Sequence, residues 1–360
     1  MPETGKPLRH GWTTGACAAA AAAAAYRALA TGVFPDAVEI VLPRGERPVF
    51  ALATKSLAAG AATAGVVKDA GDDPDVTHGA EVLATVAPGE PGSGIAVTGG
   101  AGVGTVTLPG IPVPVGEAAI NPGPRRIIAA AVLRAMDETG GPRDVTVTVS
   151  IPGGEKLAEQ TLNPRLGITG GLSVLGTTGV VVPFSCEAWV QTVHRAVQVA
   201  AANGLTHIAG STGYASERAA QRFYGLPEVA LIDMGDFVGG LLKYLRAHPL
   251  PRLTLAGGFA KFAKLAEGHL NVHSGASRVD FAALAAQVER LGGAPAVVAA
   301  ARAANTAMQV LELADAANLP LADAVAARCL AVARQILKPQ TAVDVLIVDR
   351  SGEVVGHAGP

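Results

Sequence analysis

The chain has 360 residues with 28 basic and 30 acidic side chains, so its formal net charge is −2. Hydrophobic residues make up 49% of the chain, which excludes disorder as a description of the whole. The length favours two domains over one compact core. Because there is no basic surplus to attract phosphates, we do not expect nucleic acid as a partner.

No segment predicts a membrane span or a secretion signal. The longest apolar stretch covers residues 16–26, about half of the ~20 residues that a spanning helix needs. The three cysteines, Cys17, Cys186 and Cys329, are far apart and form no CxxC pair. They support neither a disulfide framework nor a thiolate zinc site, and they favour a reduced cytoplasmic compartment.

The residues of 1–165 predict an α+β domain with hairpins. Thr13 and Thr14 are suited to cap an alanine-rich helix at 16–30, and a second helix fits 125–139. Strands are predicted from short apolar runs at 38–42, 49–54, 81–86, 94–98, 105–108 and 144–151.

Residues 166–360 predict a second domain with a parallel βαβ core. Its strands are expected at 205–209, 228–232 and 253–256, followed by helices at 216–224, 237–247 and 259–267. A helical region is expected at 278–338, with breaks near 292–295 and Pro320. A returning C-terminal strand at 343–348 ends in a hairpin, and the sequence does not decide which domain it joins. The fold class is therefore α/β and α+β, in two domains.

The first βα turn of the second domain is a candidate cofactor site. Its residues are Gly210, Ser211, Thr212 and Gly213. Glycines let a ligand approach the backbone, and the N–H groups at a helix start favour carboxylate or phosphate groups. Asp233 and Asp236 follow the next strand, where a carboxylate can accept hydrogen bonds from ribose hydroxyls. These features predict an adenosine-type ligand with an anionic group; glycines that serve packing alone are the alternative.

An acidic loop at residues 68–79 contains four aspartates and one histidine. Oxygen-rich loops bind hard cations, but the spacing here is not that of an EF-hand. Clustered carboxylates also shift one another's pKa, so His78, Asp72 and Asp73 are candidates for acid–base chemistry. A solvated loop without a ligand is the alternative.

Two sets of cations are candidates for binding an acidic ligand. Lys261 and Lys264 lie one turn apart on a predicted helix, and Arg125 and Arg126 lie at the start of another. The arginine fork is suited to carboxylates, although a solvated helix end is the alternative. His269 and His273 would form a metal pair only in a continuous helix, which the glycines beside them disfavour.

Several motifs, taken in chain order, point to one family. They are GWTTGACAAA at 11–20, VKDAGDDPDVTHG at 67–79, GGAGVG at 99–104, AINP at 119–122, NPRLGI at 163–168 and LGTTG at 175–179, followed by Lys261, Lys264, Leu265, Gly268 and His273. The set covers most of the chain. It resembles the cobalt-precorrin-5B C1-methyltransferases of anaerobic cobalamin (vitamin B12) biosynthesis, the CbiD family.

The resemblance implies transfer of a methyl group from S-adenosylmethionine to C1 of cobalt-precorrin-5B, giving cobalt-precorrin-6A. Cobalt would then belong to the substrate, and no protein-bound metal is expected. The residues at 210–213 would hold the carboxylate of the donor, with Asp233 or Asp236 on its ribose. Because the substrate is a polycarboxylate, the expected substrate-binding cations are Arg125, Arg126, Arg165, Lys261 and Lys264. If a proton must move, His78 or an aspartate of the acidic loop is the expected catalytic group.

Two other functions fit parts of the sequence. A non-catalytic tetrapyrrole or nucleotide carrier would use the same residues without turnover. Without the resemblance, the βαβ pattern would favour an NAD-dependent oxidoreductase. In each case we expect a small-molecule partner and no membrane, and a homo-oligomer is compatible with the sequence, which does not determine the oligomeric state.

Overall fold

The computed structural model describes residues 7–360 and divides into two units. The first unit ends at Ser185, and the second covers Cys186–Pro360. Residue 165, after which the sequence predicts a domain boundary, lies in a 3-10 turn of the first unit, Pro164–Leu166. Within residues 7–360, every helix is too short or too polar to span a lipid bilayer.

The first unit is built on a five-stranded sheet. The strands of the first unit are β1 (Gly11–Trp12), β2 (Ala37–Glu39), β3 (Val49–Ala51), β4 (Thr54–Ala58), β5 (Ala61–Val67), β6 (Glu81–Pro88), β7 (Ile95–Gly99), β8 (Thr105–Val106), β9 (Val145–Ser150), β10 (Ile168–Thr169) and β11 (Val180–Val181). The helices of this unit are α1 (Thr14–Thr31), α2 (Pro122–Thr139) and α3 (Gly154–Ala158). The main sheet has the order β4-β5-β6-β9-β7, antiparallel except for the pair β7–β9. The pairs β2–β3, β1–β11 and β8–β10 form small antiparallel ribbons.

The alanine-rich helix α1 is the centre of the first core. It begins where the Thr13 hydroxyl accepts a hydrogen bond from the Ala16 N–H at 3.2 Å, and it ends at Gly32, which has a φ of 76°. The alanines of residues 16–25 are almost completely buried. Because their side chains are small, α1 packs directly against α2, β5 and β6. The helix predicted at 16–30 and its Thr13 cap are confirmed.

The second unit is a doubly wound α/β fold. Its strands are β12 (His207–Ser211), β13 (Leu231–Asp233), β14 (Arg252–Gly258), β15 (Ala342–Val348) and β16 (Val354–Ala358), and its helices are α4 (Cys186–Ala202), α5 (Tyr214–Tyr224), α6 (Val238–Ala247), α7 (Phe259–Ala266), α8 (Phe281–Arg290), α9 (Pro295–Arg302), α10 (Ala307–Ala316) and α11 (Leu321–Ile336). The strand order is β13-β12-β14-β15-β16. The first four strands are parallel, and β16 pairs antiparallel with β15. The predicted mixed fold class with a parallel βαβ core is confirmed.

The C-terminal strand belongs to the second unit. Over residues 342–348, β15 pairs in parallel with β14, and its side chains are buried from Val343 to Val348. A strand buried on both faces needs a continuous apolar run, and the segment Val-Asp-Val-Leu-Ile-Val nearly meets that requirement. The pairing answers the question that the sequence left open.

The strand order reverses between β12 and β14. From β12 the chain crosses to β13 through α5, and from β13 it returns past β12 to β14 through α6. Helix α5 packs on one face of the sheet with Ala209, Ala256 and Leu346, whereas α6 and α7 pack on the opposite face. In a sheet of this kind, the loops after the two strands at the reversal leave on opposite faces, so a crevice opens between them.

An ion pair with a buried carboxylate joins β14 and β15 at the other end of this sheet. Asp344 is fully buried, and its Oδ2 accepts a hydrogen bond from the Arg252 Nε at 2.6 Å. The Arg252 guanidinium also lies 4.8 Å from the centre of the Tyr224 ring. Loss of the arginine would leave a carboxylate in the interior without its cation.

We therefore expect the Arg252→Met substitution to lower the free energy of unfolding by on the order of 3 kcal/mol, because an uncompensated buried charge is costly. Urea unfolding of the second unit within the full chain measures this difference. Arg246→Met, at an exposed position of α6, is the matched control and should change the midpoint little. Equal midpoints for the two variants would contradict the prediction.

Candidate functional site

A cleft opens at the carboxyl ends of β12 and β14, where the strand order reverses. Its volume is about 360 Å³, within the range of roughly 300–1,000 Å³ that is typical of small-molecule sites. We call it the switch-point cleft. It is lined by Thr212, Gly213, Tyr214, Ala215 and Ser216 at the start of α5, by Gly258, Phe259, Ala260 and Lys261 at the start of α7, by Met308 of α10, and by Val348, Asp349 and Arg350 after β15.

Two helices begin at the switch-point cleft with glycine at the N-cap position. Gly213 precedes α5 and Gly258 precedes α7, and neither helix has a side-chain cap. A Cβ atom added at either glycine would meet no atom within 4 Å, so backbone forms this part of the cleft. Because the first N–H groups of a helix lack intrahelical acceptors and its amino end carries partial positive charge, both helix starts favour an anionic group.

The predicted cofactor turn divides into two parts. Thr212 and Gly213 line the cleft, whereas Gly210 packs against α6: a Cβ at Gly210 would lie 2.3 Å from the Leu241 Cδ2. Gly210 therefore has a packing reason to be glycine. Between them, Ser211 is completely buried, and its hydroxyl has no hydrogen-bond partner within residues 7–360.

The two predicted ribose carboxylates lie in the neighbouring loop after β13. Asp233 pairs in register with Ser211, is half-buried, and accepts a hydrogen bond from the Gly235 N–H at 3.2 Å. The Asp236 Oδ1 lies 3.0 Å from the Lys261 Nζ. Both aspartates are thus placed at the carboxyl edge of the sheet, next to the turn at 210–213.

The two predicted substrate lysines have different surroundings. Lys261 lines the switch-point cleft, and its ammonium donates a hydrogen bond to the Thr212 carbonyl at 2.8 Å. Lys264 is 6% exposed, and its ammonium donates to the carbonyls of Val272 and Ser277. Burial lowers the pKa of Lys264. The lysines share a helix, but the structure does not bring their ammonium groups to one ligand site.

The three predicted substrate arginines lie in the first unit. The Arg125 guanidinium donates to the carbonyl of Ile120 at 2.9 Å and to that of Val97 at 2.6 Å, and so ties the start of α2 to β7. Arg126, one residue later, is exposed, and Arg165 is half-buried in the 3-10 turn of residues 164–166. Of these three arginines, Arg126 is the exposed residue.

The acidic loop is tied to its own unit by its carboxylates. Asp72 accepts a hydrogen bond from the Arg9 N–H at 2.7 Å, and Asp73 accepts one from the Phe184 N–H at 2.9 Å. The His78 Nδ1 accepts a hydrogen bond from the Ala70 N–H at 3.1 Å, which leaves the proton of the neutral ring on Nε2. Each of the three predicted catalytic residues therefore accepts a hydrogen bond from a backbone N–H group of the first unit.

The interior of the acidic loop contains a buried ion pair. The ammonium of Lys68, which is 4% exposed, contacts the Asp75 carboxylate and the Thr77 hydroxyl, each at 2.5 Å. Across residues 7–360, no three His, Cys, Asp or Glu side chains are grouped so that they could hold a metal ion.

The cysteines are free, and two of them are buried. Burial raises the pKa of Cys17 to about 12 and also raises that of Cys329. Both thiols therefore stay protonated near neutral pH and are not suited to act as nucleophiles.

Sequence reasoning missed several residues of the switch-point cleft. Tyr214, 76% exposed, directly follows the predicted turn and was within reach of a motif argument. Met308 and Arg350 come from segments about 100 residues or more further along the chain, and only the strand order brings such segments to the cleft. The Arg222 guanidinium donates to the Gly352 carbonyl at 2.8 Å and fastens the turn that carries Arg350 to α5.

Comparison with known proteins identifies the family. The sequence model described as CbiD matches residues 1–183, and the one described as CbiD, C-terminal domain, matches residues 271–359. The chain belongs to the CbiD family. This confirms the resemblance drawn from the motifs.

Curated relatives of this CbiD family member match over almost the whole chain. One from Bradyrhizobium sp. is 57% identical, covering 98% of this chain and 94% of the relative, and one from Rhodospirillum rubrum is 55% identical, covering 99% of both. Each is named cobalt-precorrin-5B C(1)-methyltransferase. A crystal structure of the cobalamin biosynthesis protein CbiD from Archaeoglobus fulgidus is 28% identical, covers 70% of this chain and 77% of that chain, and has a TM-score of 0.40.

In this CbiD family member, the glycine-rich motifs of the first unit are places of close backbone approach. A Cβ at Gly11 would lie 2.0 Å from the Ala70 carbonyl carbon, and one at Gly171 would lie 2.4 Å from the Gly102 oxygen. The N-terminal motif thereby packs on the acidic loop, and the motif at 99–104 packs on residues 171–172. Packing is sufficient to explain these two glycines.

The ion pair between Arg9 and Asp69 predicts an acid-dependent part of stability. Hydrogen bonds from the Arg9 guanidinium, aided by the Gly71 N–H, lower the pKa of Asp69 from 3.8 to about 2. Because the folded-state pKa is depressed, the pair stabilises the fold above about pH 4 and loses its effect as pH falls through about 2. Asp69→Asn should therefore be less stable than the wild type near neutral pH, and the difference should shrink on acidification.

Urea unfolding of both proteins at several pH values between about 5 and about 2 measures this difference. Glu90→Gln, at an exposed position of the first unit, controls for the loss of one negative charge. A stability difference that stays constant over this pH range would show that the pair does not act through the charge of Asp69.

Proposed function

We propose that this chain transfers a methyl group from S-adenosylmethionine to C1 of cobalt-precorrin-5B, giving cobalt-precorrin-6A, and that the methyl donor binds in the switch-point cleft. The activity is supported by relatives that match from end to end and carry the name of this methyltransferase. One observation of the structure carries the donor site: two helices with glycine N-caps begin side by side at the reversal of strand order.

The groups of the donor match the groups around the cleft. The carboxylate of its methionine part would accept hydrogen bonds from the free N–H groups of the first turn of α5. Asp233 and Asp236, in the loop after the adjacent strand, are the proposed acceptors for its ribose hydroxyls. Phe259 and Met308 supply apolar surface, and Asp349 is the proposed carboxylate for the positive sulfonium.

Methyl transfer is a displacement at carbon in which C1 of the macrocycle attacks the methyl group. The sulfur–methyl bond breaks, its electron pair returns to sulfur, and S-adenosylhomocysteine leaves. Because the donor is already activated by its charge, orientation of the two reactants is the main task of the protein and can supply roughly 7–11 kcal/mol. A rigid cleft built from helix starts and strand ends suits that task.

The macrocycle is a polycarboxylate and carries its own cobalt, so we assign the protein no resident metal. Arg350 at the switch-point cleft is an exposed cation suited to these carboxylates, and the substrate-binding roles of the cations named from the sequence stay predictions. His78, Asp72 and Asp73 stay predictions for any proton transfer; His78 is the one whose Nε2 would carry a transferable proton.

Incubation of the purified chain with S-adenosylmethionine and cobalt-precorrin-5B tests the activity. We expect the macrocycle to gain the mass of one methyl group and S-adenosylhomocysteine to form in equal amount. Binding of the macrocycle without this gain would favour the carrier function instead. Binding of a nicotinamide cofactor in a separate titration would favour the oxidoreductase.

A substitution at Gly213 tests the donor site. Gly213 has an extended φ of 161° and open space at its Cβ position, so Gly213→Val should fold normally but fill the cleft beside α5. We expect its affinity for S-adenosylhomocysteine to fall by about tenfold or more, equivalent to about 1.4 kcal/mol. Isothermal titration calorimetry measures the affinity.

Ala201→Val, at an exposed position of α4 outside the cleft, is the control for this experiment. Both variants should keep the unfolding midpoint of the wild type. If Gly213→Val binds S-adenosylhomocysteine as tightly as the control does, the donor does not occupy the switch-point cleft.

A further inference from the structure

We infer that Lys261 is a positioning residue of the switch-point cleft, which holds the Thr212–Gly213 peptide so that the Gly213 N–H faces the carboxylate of the methyl donor. This inference rests on the proposed donor site and assigns Lys261 a different task from binding the macrocycle. The evidence is the set of contacts that Lys261 makes and the orientation that these contacts give to the Thr212–Gly213 peptide.

Both polar groups of the Thr212 backbone are held. The Thr212 N–H donates to the Ala256 carbonyl of β14 at 3.0 Å, and the Thr212 carbonyl accepts from the Lys261 Nζ at 2.8 Å. None of the described peptide bonds is cis, and in a trans peptide the carbonyl and the following N–H point in opposite directions. The Gly213 N–H is therefore turned away from Lys261.

The Gly213 N–H is available for a ligand. It has no hydrogen-bond partner within residues 7–360, whereas the Gly213 carbonyl accepts from the Glu217 N–H and the Ser216 hydroxyl. Next to it in the chain, the first N–H groups of α5 also lack intrahelical acceptors. N–H groups at the start of a helix favour an anionic group.

A chain of contacts holds the Lys261 ammonium in place. Asp236 lies 3.0 Å from the Nζ and offsets its charge, and the Asp236 carbonyl accepts a hydrogen bond from the Val272 N–H at 3.0 Å. The Val272 carbonyl accepts in turn from the buried ammonium of Lys264. Lys261 and Lys264 thus belong to one network of hydrogen bonds and ion-pair contacts, which ends at the Thr212 carbonyl.

The test compares donors with and without a carboxylate. Lys261→Met keeps the aliphatic stem and removes the ammonium. Its affinity for S-adenosylhomocysteine should fall by about tenfold, the effect of losing a well-placed hydrogen bond to a charged group. Its affinity for decarboxylated S-adenosylhomocysteine should stay within about twofold of the wild type, because this ligand does not use the Gly213 N–H.

Lys243→Met, at an exposed position of α6, is the matched control and should bind both ligands as the wild type does. Lys261→Arg can still donate to the Thr212 carbonyl and should recover most of the affinity for S-adenosylhomocysteine. In turnover assays, Lys261→Met should raise the KM for S-adenosylmethionine and leave kcat nearly unchanged, since the network acts on donor binding.

Equal losses for the two ligands would overturn the inference, because they would show general loosening of the cleft instead of a role toward the carboxylate. Unchanged affinity for S-adenosylhomocysteine would overturn it as well. If Lys261→Met does not fold, Lys261→Leu replaces it and should weaken binding of the carboxylate ligand alone.

The Gly213→Val variant separates this inference from the proposed donor site. If Gly213→Val weakens binding of S-adenosylhomocysteine while Lys261→Met does not, the donor site stands and the role of Lys261 is wrong. If neither variant weakens binding, the donor site and the inference fail together.

Discussion

The reversal of strand order between β12 and β14 is the constraint on which the candidate site depends. It sends α5 to one face of the second sheet and α6 and α7 to the other. The starts of α5 and α7 therefore stand on either side of a crevice that no connection crosses. The N-caps of both helices are glycines, so their free N–H groups are open to an anion without a side chain in the way. Topology alone thus provides a site whose polar groups are backbone atoms.

The charged residues near this crevice already make contacts with other groups of the protein. Lys261 contacts a carbonyl and a carboxylate, and Lys264 is buried against two carbonyls. The buried ammonium of Lys264 would be costly without these acceptors, and its hydrogen bonds hold the loop that contains Val272 and Ser277. In the sequence the two lysines resemble a ligand-binding pair, but in the structure they hold backbone segments beside the cleft. Arg125 in the first unit shows the same behaviour with the carbonyls of Val97 and Ile120.

The first unit follows a related principle with glycine. Its family motifs bring backbone against backbone at Gly11 and Gly171, where any side chain would collide. In its acidic loop, carboxylates accept hydrogen bonds from the backbone N–H groups of Arg9 and Phe184. The same loop buries Lys68 beside Asp75. Motif residues that suggest chemistry thereby hold together segments that are far apart in the chain. The packing of these motifs therefore fixes the positions of the other side chains in the first unit.

Local features were determined by the sequence alone. The Thr13 cap, the alanine run of α1, the alternating Val and Thr of β9 and the βα turns each follow from short-range propensity, and the motifs determined the family. Only the tertiary structure decided that the alanine-rich β5 is a strand, that α4 is a helix, that β15 joins the second unit, and that Met308 and Arg350 reach the same cleft as Gly213. The physical reason is range: a cap or an alternation acts over a few residues, whereas pairing and burial depend on strands that are distant in the chain. Side-chain roles such as that of Lys264 depend on burial too, and burial is a property of the packed molecule.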